Sequence, residues 1–208
     1  MPLIRKATDA PTSQPTDLSA VTATLANGTA DERWVAARSA HAVPGSAGAL
    51  AQALEREPDP RVREAIFTSL ARISTAESVE VMLPFLASDE AALRTGALDA
   101  LGAMKEATWP FLPRLLEDGD AGVRLLACEL ARNGPAVDAT RLLCRLLDAE
   151  NEPNVCASAI EVLAEIGGAE ALPAIARCEE RFRATPFITF STRVAAERIR
   201  SQARNPGG

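Results

Sequence analysis

A short phrase returns along this chain about every 30 residues, and that period limits the possible folds more than any other feature of the sequence. Its copies begin Asp59-Pro-Arg-Val-Arg-Glu-Ala-Ile, Asp89-Glu-Ala-Ala-Leu-Arg-Thr-Gly-Ala, Asp120-Ala-Gly-Val-Arg-Leu-Leu-Ala and Glu152-Pro-Asn-Val-Cys-Ala-Ser-Ala-Ile. A looser copy is Asp31-Glu-Arg-Trp-Val-Ala-Ala-Arg. The apolar anchors Val35, Val62, Leu93, Val123 and Val155 lie 27, 31, 30 and 32 positions apart.

Each unit reads as two helices. The first starts after an acidic N-cap, whose carboxylate accepts from free amides and suits the positive helix end. Its apolar residues keep helical spacing, as in Val62, Ala65, Ile66, Ser69, Leu70 and Ile73. The second ends on a paired apolar motif: Ala53-Leu54, Phe85-Leu86, Leu115-Leu116 and Leu146-Leu147. Pro44-Gly45, Asn133-Gly134-Pro135 and Gly167-Gly168 break the chain between helices. With aromatic content at 4% and no tyrosine, alanine and leucine carry the apolar load, which favours helix over sheet.

One helical pair cannot bury its own apolar stripe, so neighbouring pairs must stack. The expectation is an all-α fold: an α-α superhelix of about five helical hairpins with a C-terminal capping helix. Asp17–Ala26 is expected to cap the first unit. Phe187–Gln202 is expected to form the last helix, with Phe187, Phe190, Val194 and Ile199 inward and Arg193, Arg198 and Arg200 outward. Residues 1–16, rich in Pro, Thr and Ser, read as a flexible tail, residues 17–203 as the repeat domain, and residues 204–208 as a disordered end.

The phrase Asp-x-x-Val-Arg-x-x-Ala, followed by leucine, resembles the HEAT repeat, and in its short length the HEAT-like repeat named in phycobilisome lyases. The resemblance covers residues 31–181 and implies a protein-binding scaffold. It also implies a structural role for Asp59 with Arg63, Asp89 with Arg94 and Asp120 with Arg124, which resemble the ladder that joins neighbouring HEAT units. The fifth unit departs, with Cys156 in the arginine's place. The opening Met1-Pro-Leu-Ile-Arg-Lys, its Pro-rich continuation and Asp31-x-x-Trp34 are similar to small bacterial HEAT proteins of signalling or chemotaxis gene clusters.

Catalysis finds little material. His41 is the single histidine and is followed by Ala42, so the paired His-Glu ligands of HEAT-repeat hydroxylases are missing. No phosphate-binding glycine loop occurs, and Ser191 and Thr192 have no base partner. A HEAT-type DNA glycosylase would need a basic groove, against a net charge of −6. Trp109, in the place of Val79, reads as core. Cys128, Cys144, Cys156 and Cys178 form no C-x-x-C pair and read as small buried hydrophobes. No enzyme activity, metal or cofactor is expected.

A binding surface is legible instead. Aligned on their terminal apolar pairs, the second helices place Arg114, Arg145 and Arg177 at one position, with Arg141 a turn before Arg145. Related solenoids line their concave face with these helices, so the four arginines are the candidate partner-binding stripe, suited to an acidic protein segment. The competing reading is a solvated face on which Arg114 pairs with Glu117 or Asp118, Arg145 with Asp148 and Arg177 with Glu180. The expected function is a non-catalytic adaptor in bacterial-type signalling. The alternatives are an accessory subunit of a lyase or modification system, and a nucleic-acid-binding HEAT-like protein. With neither a secretory apolar run nor a membrane-length apolar stretch, the expected compartment is the cytoplasm.

Overall fold

A computed structural model describes residues 17–204. The two tails, read as flexible at 1–16 and disordered at the C-terminus, lie outside these residues except Arg204, the last residue of a helix. Among the described residues there is no strand, and the chain divides into two compact units, before and after the Met82–Leu83 bond.

The first unit holds α1 (Leu18–Asn27), α2 (Ala30–Ser39), α3 (Ser46–Leu54), α4 (Pro60–Ile73) and α5 (Ala76–Glu80). Helices α2 and α4 are the first helices of successive repeats and pack on each other, while α1, α3 and α5 form a second layer in that order. Val21, Leu25, Leu50, Leu54, Val62, Ile66 and Leu70 fill the space between the layers. Gly45 lets the chain turn into α3 with φ of 75°, a left-handed conformation that a Cβ would strain.

The second unit starts with a 3-10 turn at Leu83–Ala87 and holds α6 (Ala91–Ala103), α7 (Lys105–Thr108), α8 (Leu112–Leu115), α9 (Ala121–Ala131), α10 (Ala136–Ala149), α11 (Pro153–Ile166), α12 (Leu172–Arg181) and α13 (Pro186–Arg204). Its layering is the same: α9, α11 and α13 pack in sequence on one side, and α10 packs against α12 on the other. The second helix of the third repeat is broken into α7, a 3-10 turn at Trp109–Phe111 and α8, because Pro110 and Pro113 lack the amides a continuous helix would use. Trp109 is only half-buried, lying over Gly134 so closely that a Cβ there would meet its ring at 2.0 Å.

Each first helix begins at an N-cap: Thr29, Asp59, Glu90, Asp120 and Glu152, spaced 30, 31, 30 and 32 residues apart. The first unit therefore starts two residues before Asp31. Thr29 caps α2 in a capping box with Glu32, a job that Asp31 does not perform. In the later repeats the residue two before the cap accepts a bond from the cap's own amide: Glu57 from Asp59, Ser88 from Glu90, Asp118 from Asp120 and Glu150 from Glu152.

The joint between repeats differs from the ladder expected. Asp59 and Asp120 accept from the amides of Arg61 and Gly122, starting their helices. The arginine four residues after the cap instead grips the linkers on both sides. Its guanidinium donates to a carbonyl just before its own helix: Arg33 to Gly28, Arg63 to Glu57, Arg94 to Ser88 and Arg124 to Asp118. Arg33 and Arg124 also form two-pronged bridges to the glutamate before the next helix, at 2.7 and 2.8 Å to Glu57 and 2.7 and 3.1 Å to Glu150. These carboxylates are 2% and 5% exposed. At the fifth repeat Cys156 keeps only the near contact, its Sγ donating weakly to the Glu150 carbonyl at 3.8 Å, with no guanidinium to reach the next linker. There Arg181 comes back from α12 and donates to the carbonyls of Leu147 and Glu150, its guanidinium also stacked on Phe182.

The last helix turns the other way from its expected register. Ile188, Thr192, Ala195 and Ile199 are buried, whereas Phe187, Phe190 and Val194 face outward. Both sets have helical spacing, and the neighbours α11 and α12 select the first.

Burial opposes the charge on Glu57 and Glu150, but the arginine and amide bonds outweigh it and hold both carboxyls below their ordinary 4.5. A carboxyl whose folded pKa is depressed stabilises the fold fully above its unfolded value and loses that contribution as pH falls through the folded value. Chemical denaturation should show a plateau above about pH 4.5 and a falling midpoint below it. Glu57→Ala should lower stability by about 3 kcal/mol at neutral pH, because it strands Arg33 in a mostly buried position. Arg181→Ala, by removing the guanidinium from the Leu147 carbonyl at the end of α10 and from the Glu150 carbonyl, should cost about 1–3 kcal/mol in the same assay.

Candidate functional site

The four arginines of the expected stripe are all exposed and all lie on second helices of the second unit: Arg114 on α8, Arg141 and Arg145 on α10, and Arg177 on α12. Their surroundings separate them. Arg177 forms a two-pronged bridge to Asp148, at 2.9 Å on each side, and so links α12 to α10. Its neighbour Glu180 is taken by Arg183. Arg141 pairs with Asp138 a turn away at 2.6 Å. The guanidinium of Arg114 lies 5.6 Å from the Phe111 ring centre. Arg145 has no hydrogen-bond or ion-pair partner among the described residues, because Asp148, three residues on, is held by Arg177.

Arg145 stands at the edge of an open groove of ≈ 420 Å³ between the end of α8 and α10. Pro113, Leu116, Leu142 and Leu146 give it apolar walls, and the Arg124–Glu150 bridge forms its floor. Glu117 and Asp118 line it too, so an acidic ligand is favoured only toward Arg145. The first unit carries the equivalent groove, ≈ 240 Å³, between α1 and α3 over the Arg33–Glu57 bridge. There Gln52 stands where the second unit has Arg145, so the grooves recur with the repeat while the cation does not. The sequence alignment exposed this difference in charge. It gave no sign of the groove, which requires two helices from separate repeats.

Groups capable of chemistry lie elsewhere and are occupied. The ring Nδ1 of His41 is 2.9 Å from the Arg38 carbonyl oxygen. Burial pushes the Cys128 thiol up to about 12 and the Cys144 thiol up to about 11, so both are protonated at neutral pH. The contact with Cys178, and then burial, raise Cys156 as well. Among the described residues no three His, Cys, Asp or Glu side chains converge as a metal site, and no helix is long and apolar enough to cross a membrane. Trp34 is half-buried under the Arg38 guanidinium, 4.6 Å from the ring centre.

Comparison with known proteins agrees with this architecture. A family model described as HEAT repeats matches residues 47–112, and the helical pairs of the fold fit such repeats. No curated protein matches it. Among solved structures, Cex1p is similar over 90% of this chain and 44% of its own length, at 12% identity and a TM-score of 0.54, a likeness of fold alone. An engineered protein matches 88% of this chain and 96% of its own, at 21% identity and a TM-score of 0.43. A designed armadillo repeat protein matches 88% and 99%, at 17% identity and a TM-score of 0.40. Folds built from such repeats commonly mediate protein interactions.

The two grooves give a direct comparison. Arg145→Gln, which copies the first unit's residue, should leave the melting temperature within about 1 °C, since an exposed side chain without a partner contributes little to stability. A thermal melt followed by circular dichroism checks this.

Proposed function

We propose that this chain is a non-catalytic scaffold that binds an acidic segment of another protein along the second helices of its second unit, with Arg145 as the anchor. The observation that carries the reading is the state of Arg145: exposed, beside apolar groove walls, with its nearest same-helix carboxylate committed to Arg177. A guanidinium in that state can offer a planar two-pronged contact to a carboxylate without first breaking a bridge. Arg114 supports it from the neighbouring helix with its stacked cation. Arg141 and Arg177 contribute through exposed pairs, each worth at most about 1 kcal/mol and therefore easily exchanged for a partner's carboxylate.

The resemblance of Met1–Lys6 and of Asp31 with Trp34 to bacterial signalling proteins supports an adaptor role in the cytoplasm. Net charge of −6 weighs against nucleic acid as the partner.

The test is affinity capture from native extract, with the captured partner then titrated against wild type and Arg145→Glu. The expected result is a loss of at least about ten-fold in affinity, or 1.4 kcal/mol, with helical content and melting unchanged. Full affinity in Arg145→Glu overturns the site.

A further inference from the structure

Among the described residues nothing fully covers the outer face of α13. Phe187, Phe190 and Val194 lie at positions i, i+3 and i+7 and are 46%, 70% and 47% exposed. An outer helix face that meets water is ordinarily polar, and here two phenylalanines and a valine occupy it. The opposite face is satisfied, with Ile188, Thr192, Ala195 and Ile199 buried against α11 and α12. Much of the stripe therefore stays outside the packing of the described residues.

The charges around it are equally uneven. Helix α13 carries Arg193, Arg198, Arg200 and Arg204 against a single acid, Glu197, in a chain whose net charge is −6. Arg193 is tied to Glu179 at 3.0 Å. Arg198 continues the apolar line one turn beyond Val194. Arg198, Arg200 and Arg204 form no ion pair among the described residues.

We propose that this face docks an amphipathic segment of a second protein: apolar side chains at helical spacing over Phe187, Phe190 and Val194, and carboxylates toward Arg198, Arg200 and Arg204. A second copy of this chain fits poorly. A parallel copy would set cation against cation, and an antiparallel copy offers only Glu197 to the freed arginines of two helices. A membrane fits poorly too, since the apolar part spans only two turns and Phe187 and Val194 are half sunk in their own fold, which leaves only Phe190 to enter a bilayer interface.

The probe is a synthetic helix of about 16 residues with leucines at i, i+3 and i+7 and flanking glutamates, beside a version with lysines in place of glutamates. Fluorescence anisotropy should show binding of the acidic peptide and at least about ten-fold weaker binding of the lysine peptide. Phe190→Ser and Arg198→Glu should each weaken the acidic peptide by a similar factor with unchanged melting temperature, because both side chains are exposed. Arg145→Glu should leave this binding unaltered, which separates this face from the groove on α10. Equal binding of the two peptides, no loss in Phe190→Ser, or no binding at about 1 mM overturns the proposal. So does a dimer in sedimentation, or retention on phosphatidylserine vesicles, that Phe190→Ser abolishes.

Discussion

The two-pronged bridge from one repeat's first helix to the linker that opens the next is the contact on which the repeat joints depend. A linker between helices carries carbonyls and amides that no helix satisfies, and burying them without partners would cost more than the apolar contacts around them return. Arg33 and Arg124 solve both halves at once, giving donors to their own linker's carbonyl and a counter-charge to the next linker's glutamate. The Oε1 that accepts one prong of the bridge also receives the amides at the following helix start, Asp59 in one case and Asn151 with Glu152 in the other. Cap, linker and counter-charge are therefore one polar cluster, so the start of each helix and its attachment to its predecessor are set together.

The grooves follow from this cluster. A bridge flush with the base of the second helices leaves a trough between them, with a neutral pair for a floor and apolar walls above. The fold thus supplies a repeated trough, and exposed residues at its rim, Gln52 in one place and Arg145 in another, decide what each trough can attract. Binding character can change at the rim without altering the joints.

Much of this was written in the sequence as local chemistry. The period and the acidic caps Asp59 and Asp120 are short-range signals that mark real features of the helices, whereas Glu90 and Glu152 start theirs with no side-chain cap bond. The reading failed where a choice depended on a distant partner. Asp31 matched the acid of the recurring phrase, yet Thr29 with Glu32 satisfied the helix start sooner. On α13, Phe187–Phe190–Val194 and Ile188–Thr192–Ala195–Ile199 are both sound helical stripes, and only α11 and α12 choose between them. The four arginines were visible, but Asp148 lies 29 residues from Arg177 and three from Arg145, and proximity along the chain favoured the wrong pair. Arg181 gave no signal at all, since its task is defined by the arginine missing at Cys156.

That substitution gives the array a direction. At Arg33 and Arg124 the tie runs forward, from a first helix to the linker that follows. At the fifth it runs backward, from α12 to a linker already passed. Duplication could copy the residues from Asp120 to Glu150 in tandem, because such a stretch brings its own forward tie. The stretch from Glu152 to Arg181 cannot be moved to an earlier slot, where its cysteine would leave the linker after it without a counter-ion. A stretch like the one from Asp120 to Glu150 therefore travels with its tie, whereas the repeat that carries Cys156 is held in its place through one arginine.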